Sequence, residues 1–210
     1  MRFRDRIDAG RQLAERLLDR GVSDLPDPLL LGLARGGVPV AARVGVALDW
    51  PWDVLVVRKI GAPGWPEVGI GALAGDDPPL FDHASLTTLG LTPDELAPDV
   101  ARERAELQRR ALRYRGDRPT PVIRDRAVVV VDDGLATGIT ARAACTYLRG
   151  AKPARLLVAV PVAAREAVGA VGRVCDEVIC VEVPRFFGAV GEWYQDFHQL
   201  TDEDVLRALR

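Results

Sequence analysis

The segment VVVVDDGLATGIT, from Val128 to Thr140, constrains the fold more than any other part of this chain. Four consecutive β-branched residues suit a strand buried on both faces, the environment of a parallel sheet covered by helices. The run is short and ends in turn residues, which favours strand over buried helix. Asp132 and Asp133 then stand at the carboxyl end of that strand, the edge where open α/β sheets bind ligands.

The chemistry of the segment divides in two. Ionised carboxylates only accept hydrogen bonds, and their bonds to hydroxyls are charge-assisted, so the Asp132–Asp133 pair suits the vicinal hydroxyls of a ribose. Gly134 and the loop Ala136-Thr137-Gly138-Ile139-Thr140 want the opposite partner. Gly138 permits close backbone approach, and free N–H groups at a helix start, with the Thr137 and Thr140 hydroxyls, favour a phosphate. Taken alone, Asp-Asp-Gly is often a turn and Thr-Gly a helix cap. The whole string describes a ribose 5-phosphate site.

Two further loops fall at the same kind of position. In LLLGLARGGV, Leu29 to Val38, a strand meets Ala34-Arg35-Gly36-Gly37 before a helix. The glycines expose backbone N–H groups, and Arg35 offers a planar fork for phosphate oxygens. In VLVVRKIGAPG, Arg58 and Lys59 close another strand, and two cations there could neutralise a leaving pyrophosphate. Each loop has a plain alternative, a glycine turn or an ordinary surface pair.

The string VVVVDDGLATGIT resembles the phosphoribosyl-pyrophosphate (PRPP) motif of the type I phosphoribosyltransferases. That resemblance implies that Asp132 and Asp133 hold the ribose hydroxyls and Ala136 to Thr140 the 5-phosphate. It implies a pyrophosphate loop at Ala34–Gly37, one that often carries a cis peptide in the family. Arg58-Lys59 resembles the pair at the end of the corresponding strand in adenine phosphoribosyltransferases, with Lys59 the better candidate for a pyrophosphate contact. Mg2+ is implied as the cofactor, near Asp132 and Asp133 and held indirectly through PRPP hydroxyls or water. The candidate catalytic residues are Asp132, Asp133, Lys59 and Arg35. The resemblance implies a nitrogen base as acceptor; relatives specific for 6-oxopurines carry an acid where this chain has Ala136, which points away from those bases and leaves a purine such as adenine as one candidate. A homodimer is expected by family analogy.

The rest of the chain reads as alternating elements: helix Asp5–Arg20 with Ile7, Leu13, Leu17 and Leu18 on one side, strand Leu29–Leu33, helix Val38–Leu48, strand Asp53–Val57, and a charged helix Thr92–Arg115 whose start Pro98 delays or kinks. After Val128–Val131 come the helix to Leu148, strand Arg155–Val160, helix Arg165–Val171 and strand Glu177–Val183. The alternation predicts one α/β domain over 1–210 with a mainly parallel, twisted, helix-flanked sheet. Residues 60–118 form a flexible loop plus helical insertion in this reading, and 184–210 a small hood. Gly61, Gly64, Gly69, Gly71 and Gly75 mark the loop as one that could close over substrate. Glu67 within it is a candidate acid. GIGALA, Gly69 to Ala74, lacks the helix start that a dinucleotide loop requires.

Phe186, Phe187, Trp193 and Tyr194 are candidates for stacking on a base, or for a small core or dimer contact, and Asp196 and His198 for accepting a proton. The arginines from Arg102 to Arg126 could form a basic face, but no aromatic platform interleaves them, and paired charges on a solvated helix are the preferred reading. A net charge of −2 gives no whole-protein attraction to nucleic acid. No apolar run approaches the about 18 residues of a membrane helix. Cys145, Cys175 and Cys180 have no metal-type spacing and read as buried reduced thiols, so a cytoplasmic protein is expected. The main alternative to an enzyme is a PRPP-sensing regulator, of a kind some relatives of which bind nucleic acid.

Overall fold

The computed structural model describes residues 2–210, the side chains of Ser23 and Glu67 excepted. The Glu67 candidacy therefore lies outside the described residues. One sheet of seven strands runs through the molecule in the order β4-β3-β2-β1-β5-β6-β7. The strands are β1 (Pro28–Ala34), β2 (Trp52–Ala62), β3 (Trp65–Ala74), β4 (Leu80–Phe81), β5 (Ala127–Val131), β6 (Arg155–Val162) and β7 (Glu177–Glu182). The block β2-β1-β5-β6-β7 is parallel, and β3 and β4 extend it antiparallel.

β5 is the central strand, and its five residues are wholly excluded from solvent. Val128 and Val130 face one core cluster and Val129 and Val131 the other. That alternation explains the unbroken apolar run: both faces are covered. One cover is α5 (Ile139–Gly150), packed with α6 (Arg165–Val171); the other is α1 (Arg6–Asp19) with α2 (Gly37–Leu48). The side chain of Asp5 caps α1 by accepting from the Asp8 N–H at 2.7 Å. The buried stripe of α1 is Ala9, Leu13, Ala14 and Leu17, together with Arg6 and Asp8. Ile7 and Leu18, expected on that side, are half-exposed, because they fall off the i, i+4 row through Leu13 and Leu17.

The segment read as a glycine-rich loop is largely β-strand. β2 continues to Ala62, turns at Pro63-Gly64 and returns as β3, so most of Gly61–Pro79 is a hairpin and GIGALA is part of a strand. Then come β4, α3 (His83–Leu89) and α4 (Ala97–Arg115). The Thr92 start signal is real but caps only a turn: the Thr92 N–H and hydroxyl both bond the Glu95 carboxylate. The helix itself begins at Ala97, with Pro98 in its first turn, where a missing N–H costs nothing.

The arginines of α4, and Arg118 just beyond it, are bonded within the chain. Arg109 and Arg113 bond Asp202 of α7 (Asp202–Ala208), while Arg115 and Arg118 bond the buried Asp53 of β2. The Tyr114 hydroxyl donates to Asp202 at 2.5 Å. Burial acting alone would raise the Asp202 carboxyl, but the bonds from Tyr114 and Arg109 outweigh it and bring it down to about 2. Among the described residues no helix is long and apolar enough to cross a membrane, and all three cysteines are buried and unbridged.

Candidate active site

The site is built where β5 and β1 end side by side. β5 delivers Asp132 and Asp133 to the carboxyl edge of the sheet. Asp132 turns its carboxylate back to accept from the Asp133 N–H at 2.9 Å. Asp133 is held at both ends: its Oδ2 accepts from Arg6 Nε at 2.9 Å, and its carbonyl accepts from the Tyr194 hydroxyl at 2.6 Å. Burial, followed by repulsion from Asp133, pushes the Asp132 carboxyl well up. Burial also raises Asp133, against the opposing charge of Arg6.

Beyond the acids the chain is stitched to the end of β6. The Leu135 N–H bonds the Val162 carbonyl and the Ala164 N–H bonds the Leu135 carbonyl, at 2.9 and 2.8 Å. This fixes where the Ala136–Thr140 loop begins. Gly138 caps α5 with φ +73°, and the Val171 side chain would lie 2.8 Å from any Cβ there. Ala136 and Thr137 are exposed, whereas the Ile139 side chain is in the core, so only its backbone N–H is suited to a ligand. The Thr137 hydroxyl accepts from the Ile139 N–H at 3.4 Å, and Thr140 is half-buried in the first turn. Gly134 lies against the hood, its missing Cβ 2.6 Å from Val190.

β1 ends in the second loop. The Ala34–Arg35 peptide is cis, as the resemblance implied. Gly36 caps α2, and Gly37 is the first helical residue. Neither glycine has room for a side chain. A Cβ on Gly36 would stand 2.0 Å from Asp133 Oδ2, and one on Gly37 2.3 Å from the Val131 carbonyl oxygen. The two loops read separately from the sequence are therefore in direct contact.

Arg58 and Lys59 part company. Arg58 gives Nε and Nη2 to Glu103 Oε2 of α4, at 2.9 and 2.5 Å. That ion pair commits a cation expected to face pyrophosphate. The Lys59 side chain lies along the β3 backbone, with Cδ 2.8 Å from the position of a Cβ on Gly69 and the start of α5 close by. Both residues border a cavity of about 500 Å3 with Gly61, Pro66, Glu103 and Gln199.

The segment 184–210, expected to form a hood, borders a separate cavity. A cavity of about 480 Å3 lies between Ala164–Arg165 and Phe186, Phe187, Gly188 and Glu192. Phe186 and Phe187 border it, while Tyr194 is a core residue between Phe3 and Phe197, with ring centroids 5.3 and 4.9 Å away. His198 Nδ1 lies 3.0 Å from Asp196 Oδ1 in an exposed pair.

Arg6 is the residue that sequence reasoning missed. Besides Asp133, it donates to the His198 carbonyl at 3.0 Å and lies 4.0 Å above the Phe197 ring. Its place at the start of an amphipathic helix carried no signal except that an arginine falls on the buried stripe.

A parallel sheet whose carboxyl edge brings an acid pair, a glycine-gated helix start and a second glycine loop into contact has the architecture of the type I phosphoribosyltransferases. The comparisons agree: the model of the phosphoribosyl transferase domain matches residues 4–196, and the chain belongs to that family. It is 40% identical over 207 residues to Rv0571c of Mycobacterium tuberculosis, a protein provisionally named a phosphoribosyl transferase. The match covers 99% of this chain and 46% of the relative, so the chain spans less than half the length of that protein. The crystal structure of TT1426 from Thermus thermophilus superposes with a TM-score of 0.80 at 44% identity, covering 100% of this chain and 98% of the other. A Neisseria gonorrhoeae protein crystallised with ppGpp shares the fold at a TM-score of 0.54 and 12% identity, over 100% and 97% of the two chains.

Proposed function

We propose that this chain transfers the ribosyl 5-phosphate group of PRPP to a nitrogen base and releases pyrophosphate. The observation that carries the reading is the contact between Gly36 and the Asp133 carboxylate. A ligand that reaches the acids with its ribose also reaches the second loop with whatever its anomeric carbon carries. In this reading Asp132 and Asp133 accept from the ribose hydroxyls and orient the sugar. The N–H groups from Ala136 to Thr140 take the 5-phosphate. The Gly36–Gly37 backbone, Arg35 and Lys59 take the leaving pyrophosphate as it gains charge.

Mg2+ fits this donor set in one way. No cluster of three or more acidic, His or Cys side chains that could cage a metal occurs among the described residues. Mg2+ usually keeps waters and binds through one or two carboxylates plus substrate phosphates, which the Asp pair and PRPP would together provide. When bound it supplies charge neutralisation at the pyrophosphate oxygens. The chain's own part is to hold the sugar, exclude water and keep the loops fixed.

The acceptor enters from the hood, with Phe186 and Phe187 available for stacking and Ala136 offering no acid for a base proton. The test is a panel of nitrogen bases incubated with PRPP and Mg2+ and scored for pyrophosphate release. Release with one base supports the reading. PRPP binding by calorimetry with no release from any base would instead assign a PRPP-sensing regulator, and no PRPP binding would refute both.

A further inference from the structure

We infer that Arg6 is a positioning residue that ties the Asp133 carboxylate to the hood, so that the ribose-binding acid and the segment Phe197–His198 behave as one unit. The inference rests on the PRPP reading for its catalytic consequence but not for the tether itself.

Three contacts converge on one buried guanidinium. Nε donates to Asp133 Oδ2, Nη1 donates to the His198 carbonyl, and the planar face covers the Phe197 ring. The Arg6 side chain is 9% exposed and that of Asp133 14% exposed, so both charges are largely removed from water and each depends on the other. A guanidinium has five donors in a fixed plane, so it can bond two acceptors while stacking on a ring; a lysine cannot reproduce that geometry. The backbone sets the position of Arg6. The Phe3 N–H bonds the Trp193 carbonyl, the Gln195 N–H bonds the Phe3 carbonyl and the Asp196 N–H bonds the Arg4 carbonyl. The residues just before α1 are thus laced to the hood, and Arg6 carries that connection onward to Asp133.

The arrangement fixes the plane of the acid. Oδ2 is trapped between Arg6 and the Gly36 backbone. The carboxylate therefore meets a ribose with its rotation already restricted: Arg6 ties the side chain of Asp133 to the hood, as the Tyr194 hydroxyl ties its carbonyl. Losing a buried hydrogen bond to a charged group is worth roughly 10- to 100-fold in an equilibrium constant.

The test compares Arg6→Gln, Arg6→Lys, Asp133→Asn and the double variant Arg6→Gln/Asp133→Asn in the full chain. Hydrogen exchange is read at residues 194–196, whose N–H groups bond the Gly191, Phe3 and Arg4 carbonyls, with PRPP and Mg2+ kinetics in parallel. Arg6→Gln should speed exchange in the hood roughly 10-fold, and Asp133→Asn, whose amide oxygen can still accept from Arg6 Nε, by less. In kinetics, Arg6→Gln should raise KM for PRPP roughly 10-fold or more with a smaller change in kcat. The double variant should be no worse than Asp133→Asn alone, because Arg6 acts through that acid. Arg6→Lys should recover part of the PRPP affinity but not the hood protection. Unchanged hood exchange in Arg6→Gln overturns the tether, and independent, multiplying kinetic losses overturn the positioning role. A native protein that binds no PRPP, with both variants still loosening the hood, would refute the proposed function and leave the tether standing.

Discussion

Replacing Gly36 by alanine separates the geometry of the site from the stability of the fold. The Gly36 backbone has φ −61° and ψ −36°, which alanine adopts freely. Less freedom in the unfolded chain then favours alanine by about 0.4–1 kcal/mol. Against this, the new Cβ would fall 2.0 Å from Asp133 Oδ2, where a normal contact is about 3.5 Å. The carboxylate or the loop must retreat by roughly 1.5 Å, and Arg6 holds the carboxylate at 2.9 Å. Overpacking of this kind costs about 1–3 kcal/mol. The net loss is about 0–2.5 kcal/mol, a fall in Tm of less than about 10 °C for a chain of this size. The displaced acid should lower kcat/KM for PRPP about 100-fold, the usual consequence of a misplacement near 1 Å. The assay is PRPP-dependent pyrophosphate release beside a thermal melt. Gly37→Ala is the control, because its Cβ would meet the Val131 carbonyl oxygen and Asp132 Cα, backbone that cannot step aside. It should damage the fold first. Wild-type kcat/KM in a folded Gly36→Ala would refute the idea that the two loops form one site.

Other outcomes follow from the charges. A carboxyl raised by burial favours folding while protonated and loses that advantage as pH climbs through its folded pKa. Asp132→Asn should therefore raise Tm at about pH 8 and lose that advantage by about pH 3, while abolishing PRPP turnover; a lower Tm at the higher pH would contradict this. Asp202 has the opposite sign: its carboxyl is lowered to about 2, so its contribution is present above 3.8 and lost as pH falls toward 2. Asp202→Asn should cost about 1–3 kcal/mol near neutrality, discounted for half-exposed arginine partners, and nothing at the acid end, as read by urea unfolding at both pH values. Arg58→Ala should leave PRPP affinity nearly intact and loosen the β2–α4 contact, whereas Lys59→Ala should weaken PRPP binding about 10-fold or more by calorimetry; the reverse ranking would reassign the pyrophosphate cation.

Much of the fold was legible because its signals are local. The β5 valines announce a doubly covered strand, and Arg165–Val171 emerges as a helix with the bounds expected of it. The hairpin was hidden because its glycines read as loop. Apart from the turn residue Gly64, with φ +76°, each answers to a close neighbour instead: Gly61 faces the Pro66 carbonyl, Gly69 faces Lys59, and Gly71 faces the Leu80 carbonyl. Such packing is a property of paired strands and has no periodicity of its own. The candidate site divides in the same way. The acids, the phosphate loop and the Ala34–Gly37 loop could be read from short strings, and the structure brings them together. Arg6 could not, since 127 residues separate it from Asp133. The commitment of Arg58 to Glu103 was likewise invisible, because α4 returns to β2 only in three dimensions.

β2 is a single strand with two addresses. From Trp52 to Val56 it is an interior parallel strand beside β1, and from Val57 to Ala62 it is one arm of the hairpin with β3. Its pairing slips twice, between Ile60 and Gly61 and again between Gly61 and Ala62. Both irregularities fall after Arg58 and Lys59. Mechanically, the strand behaves as a beam clamped in the sheet, with its weak point outboard of the two cations. The hairpin tip, with its exposed Trp65, lies beyond both slips. One continuous strand is thereby divided into a regularly paired part that carries the two cations and an irregularly paired tip beyond them.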